Sequence, residues 1–200
     1  MKAVPVIALD HPAALDAARV GHDAAALATA RAAGLPVGPG VVLTRMWSPD
    51  DAQTAELVWR IVSHDGAIAL SVRPSPVGSS VLEPASSVHS AVELLSAAGA
   101  ARDATGPDVP VLVQADAGSD WRGVLTTDDR GTRACEVLGT DRLRPTRQVL
   151  ARLSRLADRL AAVLGGAPDF EFAVDGEHVR AVHIRRAGAT ADADLFHTAA

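Results

Sequence analysis

Tyrosine is missing from this 200-residue chain, and Lys2 is the only lysine among its 19 lysine and arginine residues. There is one cysteine, Cys135, and aromatic side chains make up only 3% of the sequence. One cysteine excludes an intrachain disulfide framework and a multi-cysteine zinc site. A single lysine leaves arginine to do whatever a cation must do. No stretch of about 18 apolar residues runs without a charge, so no membrane-crossing helix is expected. The start, MKAVPVIALDHPAALD, lacks a long apolar run and carries Pro5 and Asp10, which predicts no signal peptide. The longest basic cluster, DRLRPTRQVLARLSRLADRL, is interrupted by acids, and the net charge is −5 with a pI of about 5.7. A nucleic-acid partner, which needs a clustered basic face, is therefore not expected. No G-x-S-x-G, H-E-x-x-H or Walker motif occurs. A soluble, cytoplasmic protein is the expectation. The abundance of alanine and arginine beside absent tyrosine points to biased coding composition, so single alanines carry little weight.

What is present is enough apolar material for a core: 48% of residues are hydrophobic. That length and composition support one compact unit over residues 1–188, or two small lobes of about 1–105 and 106–188, with 189–200 as a frayed tail. AVPVIAL reads as a short strand. HPAALDAARVGHDAAALATARAAG reads as helix, broken near Gly21 and ended by Gly34. SPDDAQTAELVWRIVSHDG reads as a helix with Ser48 as N-cap, Pro49 at the first helical position, Gly66 at its end, and Leu57, Ile61 and Val62 on its buried face. AIALSVR is an apolar strand, PSPVGSSVLEPASS a loop, and VHSAVELLSAAGAARD a helix. VPVLVQAD and WRGVLTTDD read as an antiparallel pair, with TRACEVLG as the next strand. RQVLARLSRLADRLAAVLGG is the clearest helix, with Leu150, Leu153, Leu156, Leu160 and Val163 at the spacing of one buried face. The order predicts an α+β fold with a mixed or antiparallel sheet and packed helices.

DFEFAVDGEHVRAVHIRR, from Asp169 to Arg186, reads as a β-hairpin. By the strand period of two, Phe170 and Phe172 share one face, and Asp169 and Glu171 share the other. Two registers are open. A two-residue Asp175-Gly176 turn sets Glu171 opposite Arg180. A three-residue loop, Gly176 to His178, sets Glu171 opposite His183 and Asp169 opposite Arg185.

Several stretches together resemble the nucleotide-binding domain of phosphoenolpyruvate synthase and pyruvate phosphate dikinase, which has an ATP-grasp-like fold. VGHDAAALATARAAGLPVGPGVVLT resembles that family's opening helix-turn-strand, and ALSVRPSP its strand with an ATP-contacting arginine, here Arg73. VLVQADAGSDWRGVLTTDD resembles its glutamine-to-glycine hairpin, from Gln114 to Gly123. ACEVLG resembles the strand with a nucleotide-site glutamate, here Glu136. GGAPDFEFAVDGEHVRAVHIRR is similar to the closing hairpin whose carboxylate binds the nucleotide's magnesium. The resemblance spans about 170 residues. It implies ATP and Mg²⁺ as cofactors, with Arg73, Gln114, Glu136 and Arg185 at the nucleotide and Glu171, Asp169 and His183 at the metal. It also favours the hairpin register with Glu171 opposite His183.

The departures bear on function. Where the family has a phosphate-contacting lysine, this chain has Asp23, which sets repulsion beside a polyanion. Where the family has a metal-binding glutamine, this chain has His183. The serine pair after the arginine is Pro74-Ser75. The chain is shorter than the family's domain, and it has no phosphohistidine swivel domain and no pyruvate barrel. Two function classes stay open. One is an ATP-binding component of a phosphotransferase of kinase or dikinase type, working with a separate swivel or acceptor protein and weak or inactive alone. The other is a non-catalytic binding or regulatory module that kept the fold and lost ATP binding. Each candidate also has a plain reading. Asp169 and Glu171 can be an exposed strand face paired with arginines, Arg73 can be a structural partner for an acid, and His183 can be a satisfied core histidine. Cys135 reads as buried and inert.

Overall fold

The computed structural model describes residues 4–63, 69–77, 86–116, 119–128, 130–138 and 145–186. The Gly66 helix end, most of the loop after Val77 and the 189–200 tail lie outside these. The chain divides into two compact units, Met1–Ala28 with Gly38–Gly118, and Thr29–Val37 with Ser119–Ala200. The architecture is α+β, built on two antiparallel sheets.

The first unit holds a five-stranded sheet. In chain order its strands are β1 (Val6–Ala8), β2 (Gly40–Leu43), β3 (Leu70–Pro74), β4 (Ser86–Val88) and β5 (Val111–Ala115), and their spatial order is β1-β2-β5-β3-β4. Cross-strand pairs share a face, so Val41, Val113 and Val72 form one side and Val42, Leu112 and Arg73 the other. The first side is closed by α3 (Ala52–Val62) and α4 (Ala91–Thr105), where Val41, Leu43, Leu70, Val72 and Val113 pack with Val58, Val62, Leu94 and Ala98. Ahead of β2 come a 3-10 turn (Pro12–Leu15), α1 (Ala17–Val20) and α2 (His22–Ala32).

Gly21 separates α1 from α2 at φ +83°, as the sequence predicts, and the close approach there demands glycine. A Cβ on it would lie 1.7 Å from the Ser75 carbonyl oxygen. The same Ser75 hydroxyl accepts a hydrogen bond from Ala24 N at 3.1 Å, so a residue after β3 acts as a distant cap for α2.

Several expectations for this unit are corrected. Helix α3 starts three residues later than Ser48 would have it. Its N-cap is Asp51, whose carboxylate takes the Thr54 amide at 2.9 Å and the Thr54 hydroxyl at 2.5 Å, while Ser48 belongs to the preceding turn, its carbonyl accepting from Asp51 N and its hydroxyl from Asp50 N. Leu57 and Ile61 are 48% and 52% exposed; Val62 is buried as expected, but its companions facing the sheet are Ala55 and Val58. Strand β5 does not pair with the strand after it. It lies between β2 and β3, so both its edges are taken. The sequence boundary near residue 105 had assigned β5 to a second lobe; it is the central strand of the first sheet.

The second unit is a four-stranded sheet of β6 (Trp121–Thr127), β7 (Arg133–Leu138), β8 (Pro168–Asp175) and β9 (His178–Arg186), in spatial order β7-β6-β8-β9. Helix α5 (Arg147–Leu164) packs on β8 and β9. Its cap is Thr146, whose hydroxyl accepts from Val149 N, and it stops at Gly165, left-handed at φ 76°. Leu153, Leu156 and Leu160 are buried as expected. The stripe is completed by Val149, Ala157 and Leu164 rather than by Leu150 and Val163, which are exposed. Phe170 and Phe172 fill the core, their rings edge to face at 6.3 Å, with Trp121 5.6 Å from Phe172. Burying two such rings is worth about 2–3 kcal/mol each. Gly123 is what lets Phe172 in: a Cβ there would stand 2.4 Å from both the Phe172 ring and the Glu136 carbonyl oxygen. Among the described residues no helix is long and apolar enough to cross a membrane.

Candidate functional site

The β8–β9 hairpin sets Glu171 opposite His183 and Asp169 opposite Arg185, the second of the two registers. It gets there by a different route from the three-residue loop. Asp175 pairs with His178, leaving a two-residue Gly176-Glu177 turn with Gly176 at φ 57°. That turn alone would put Glu171 opposite Val182. A bulge after Phe172–Ala181 steps the register past Val182 and brings His183 into line.

Pairing then runs across the whole sheet. Glu136 lies opposite Val124, Val124 opposite Glu171, and Glu171 opposite His183. These four share one face, the face away from α5. The adjacent row is Leu138, Arg122, Ala173 and Arg180. So Glu136, Glu171 and His183 stand beside Arg122 and Arg180, with Asp169 and Arg185 one pleat further on. Burial lowers the Arg122 guanidinium's pKa; nearby Glu171 raises it and Arg180 lowers it again. Arg180 is a neighbour that sequence reasoning met only in the rejected register. The Glu171 carboxylate lies 3.8 Å from His183 Nδ1, an ion pair when the imidazole is protonated. His183 is buried, while the Glu171 side chain keeps 28% exposure.

A magnesium ion asks for one or two carboxylates, with phosphate oxygens and water completing its shell. Glu171 fits that demand as a single, partly exposed carboxylate. Asp169 is engaged elsewhere: its Oδ1 accepts the Thr127 amide at 2.9 Å and closes the end of β6. Glu136 stands two strands from Glu171, roughly 10 Å by strand spacing. Among the described residues no three His, Cys, Asp or Glu side chains gather as a metal cage. The residues present thus fit a metal shared with a phosphate ligand, not one held by protein alone.

In the first unit, Arg73 and Gln114 share the sheet face away from α3 and α4. Both are buried, and the Arg73 guanidinium donates to Gln114 Oε1. Gly40, opposite Gln114, makes room for it: a Cβ there would come within 2.9 Å of the Gln114 side chain. Asp23 sits in the first turn of α2, where an acid favours the helix N-terminus. Cys135 is half-buried on the α5 side of its sheet, and burial raises its thiol pKa.

Sequence reasoning missed Arg102. It is buried in α4, donates to the Thr44 and Trp47 carbonyls, and lies 5.0 Å over the Trp47 ring. In the sequence GAARD nothing separates it from a solvent-facing helix arginine.

No family model and no curated protein matches the chain. Its likeness is to solved structures. One is the D-alanine-D-alanine ligase of Coxiella burnetii, with TM-score 0.54 and 17% identity over 80% of this chain and 45% of that one. Another is the D-alanine–D-alanine ligase of Bacillus anthracis complexed with ATP, with TM-score 0.53 and 12% identity over 80% and 53%. A third is an N5-carboxyaminoimidazole ribonucleotide synthetase in its ADP complex, with TM-score 0.51 and 12% identity over 78% and 42%. The chain spans about half the length of these proteins. At such identities the likeness speaks to fold alone, and that fold is ATP-grasp-like.

Proposed function

We propose that this chain binds a magnesium nucleotide, ATP by fold analogy, on the face of its second sheet that carries Glu171. The observation that carries this reading is the row Glu136–Val124–Glu171–His183 beside Arg122 and Arg180. It offers a carboxylate for the metal and cations for phosphate on one rigid surface, which is what nucleotide phosphates require. Bound Mg²⁺ neutralises phosphate charge; Glu171 would hold it, and Arg122, Arg180 and Arg185 would orient the phosphate oxygens. Support from outside the chain is the fold shared with the ATP- and ADP-bound structures. Arg73 and Gln114, which the family resemblance implicates in nucleotide contact, are a separate proposal, tested by their own substitutions.

The test is calorimetric titration with ATP plus Mg²⁺, repeated without Mg²⁺ and with Glu171→Gln. The expected result is binding that weakens when the metal is omitted and loses its metal dependence in the variant. Equal heats with and without Mg²⁺, or no heat in either, would overturn it.

Turnover is a further question. The dikinase resemblance points to phosphotransfer with a separate swivel or acceptor protein, whereas the structural neighbours above include ligases. The separation of β5 from β6 removes the hairpin on which part of the dikinase resemblance rested. A second reading, binding without turnover, is favoured by Asp23. The start of α2 is closed by its own acid, by the Ser75 hydroxyl and by the Pro76 carbonyl, which accepts from His22 N at 3.0 Å. Asp23→Lys is expected to tighten ATP roughly ten- to hundredfold if that helix start meets phosphate. An unchanged affinity would place α2 outside the nucleotide site.

A further inference from the structure

At one end of the first sheet, Val6, Leu43, Val111 and Pro74 form the last complete row. Beyond that row the four strand ends border a half-open cavity of about 420 Å³, lined by Val4, by Thr44–Met46, by Pro76 and Val77, by Asp108–Pro110, and by Ala18 and Arg19 of α1. The volume lies in the range of small-ligand sites.

Its walls are held in place. The Thr44 hydroxyl donates to the Val4 carbonyl at 2.8 Å and accepts the Met46 amide at 3.3 Å. Arg102, buried behind this loop, donates to the Thr44 and Trp47 carbonyls. Ser75 N donates to the Pro110 carbonyl at 2.7 Å and ties two other walls together.

The lining has a defined chemistry. Val4, Met46 and Val77 are exposed apolar side chains on one cavity, three of the large hydrophobics this chain leaves in solvent. Arg19 and Arg45 stand among them, and among the described residues neither guanidinium has an ion pair or hydrogen bond. Among the described residues Asp108 is the one acid in the lining, and it also interacts with the buried Arg102 guanidinium. Among the described lining residues, two arginines against one aspartate leave an excess of positive charge, which suits a carboxylate.

We propose that this cavity binds a small monocarboxylate carrying an apolar group, its carboxylate held by Arg19 and Arg45 and its apolar body against Val4, Met46 and Val77. A planar carboxylate matches the guanidinium fork. The site uses no residue of the proposed nucleotide face and stands independently of that reading.

The test is amide NMR titration of the full chain with hexanoate, with 1-hexanol and inorganic phosphate as separate arms. The expected result is saturable shifts at Arg19, Arg45, Met46, Val77 and Val109 with hexanoate, and at least roughly tenfold weaker binding for hexanol and for phosphate. The doubly substituted Arg19→Gln, Arg45→Gln protein should lose at least about tenfold in hexanoate affinity while its remaining spectrum is unchanged. Asp108→Asn should bind hexanoate more tightly. Hexanol binding as well as hexanoate, phosphate binding more tightly than either, shifts confined to other residues, or unchanged affinity in the folded double variant would each overturn the proposal.

Discussion

On the first sheet, the face away from its helices carries Arg73, 5% exposed and committed to Gln114, itself 2% exposed. On the second sheet, the corresponding face carries Glu171, whose side chain keeps 28% of its exposure with charged neighbours of both signs around it. Both sheets are antiparallel, both bury one side under helices, and both place charge on the other. The difference is how far that charge is spent. A buried guanidinium bonded to a buried amide is desolvated and fixed, so its removal registers in stability. A part-exposed carboxylate among charged neighbours of both signs can still meet a ligand from solvent, so its removal registers in binding.

The comparison breaks most visibly at the core beneath the second face. Phe172→Ala is expected to cost about 3–5 kcal/mol in urea unfolding, because the ring meets Trp121, Phe170 and the gap left by Gly123. A loss under about 1 kcal/mol would mean that this ring does not anchor the sheet. Next is Gln114→Leu in the first sheet, which deletes the acceptor for the Arg73 guanidinium and should cost about 1.5–3 kcal/mol. Against it stands Glu171→Gln, expected to change stability by at most about 1 kcal/mol while abolishing the metal dependence of nucleotide binding. If the two variants exchanged roles, with Gln114→Leu silent in unfolding and Glu171→Gln strongly destabilising, the contrast between the faces would be wrong.

The smallest effect concerns Asp51. Its side-chain bond to the Thr54 hydroxyl, then its bond to the Thr54 amide, lower its pKa below the ordinary value. A depressed carboxyl contributes stability above its unfolded pKa of about 3.9 and loses it as pH falls through the lower folded value. Acid titration of Asp51→Asn should therefore show a shallower fall in stability below about pH 4 than the parent. An identical slope would show that the cap does not titrate with folding.

Much of this was legible in the sequence because it is local. The period of two in DFEFAV decides that Phe170 and Phe172 turn inward together, and it did so without knowledge of the partner strand. The break at Gly21 and the stop at Gly165 were legible for the same reason. What was not legible depends on neighbours distant in sequence. In α3, Leu57–Ile61 and Val58–Val62 are two apolar stripes of equal period, and only the sheet chooses between them. Strands β5 and β6 are close in sequence and each reads as one arm of a hairpin, yet β5 has both edges occupied by β2 and β3. Arg102 gives no sequence signal, because its partners are two carbonyls 55 and 58 residues away. Of the candidate site, Glu136, Glu171 and His183 were named from the sequence; that they stand in one row with Arg122 and Arg180 beside them required the register.

That register hangs on one inserted position. Were Val182 drawn into the ladder and the bulge lost, the Gly176-Glu177 turn would carry its pairing straight through, with Glu171 opposite Val182. His183 and Arg185 would then point toward α5, and Ile184 would emerge among the charges. Deleting Val182 would instead keep Glu171 opposite His183, so it is the bulge with Val182 present, not the count of residues alone, that decides which face the titratable groups take. Along this strand one irregularity of pairing, with no residue altered, decides whether His183 or Ile184 joins the row of charges, which makes the bulge a switch between an acid–base and an apolar surface.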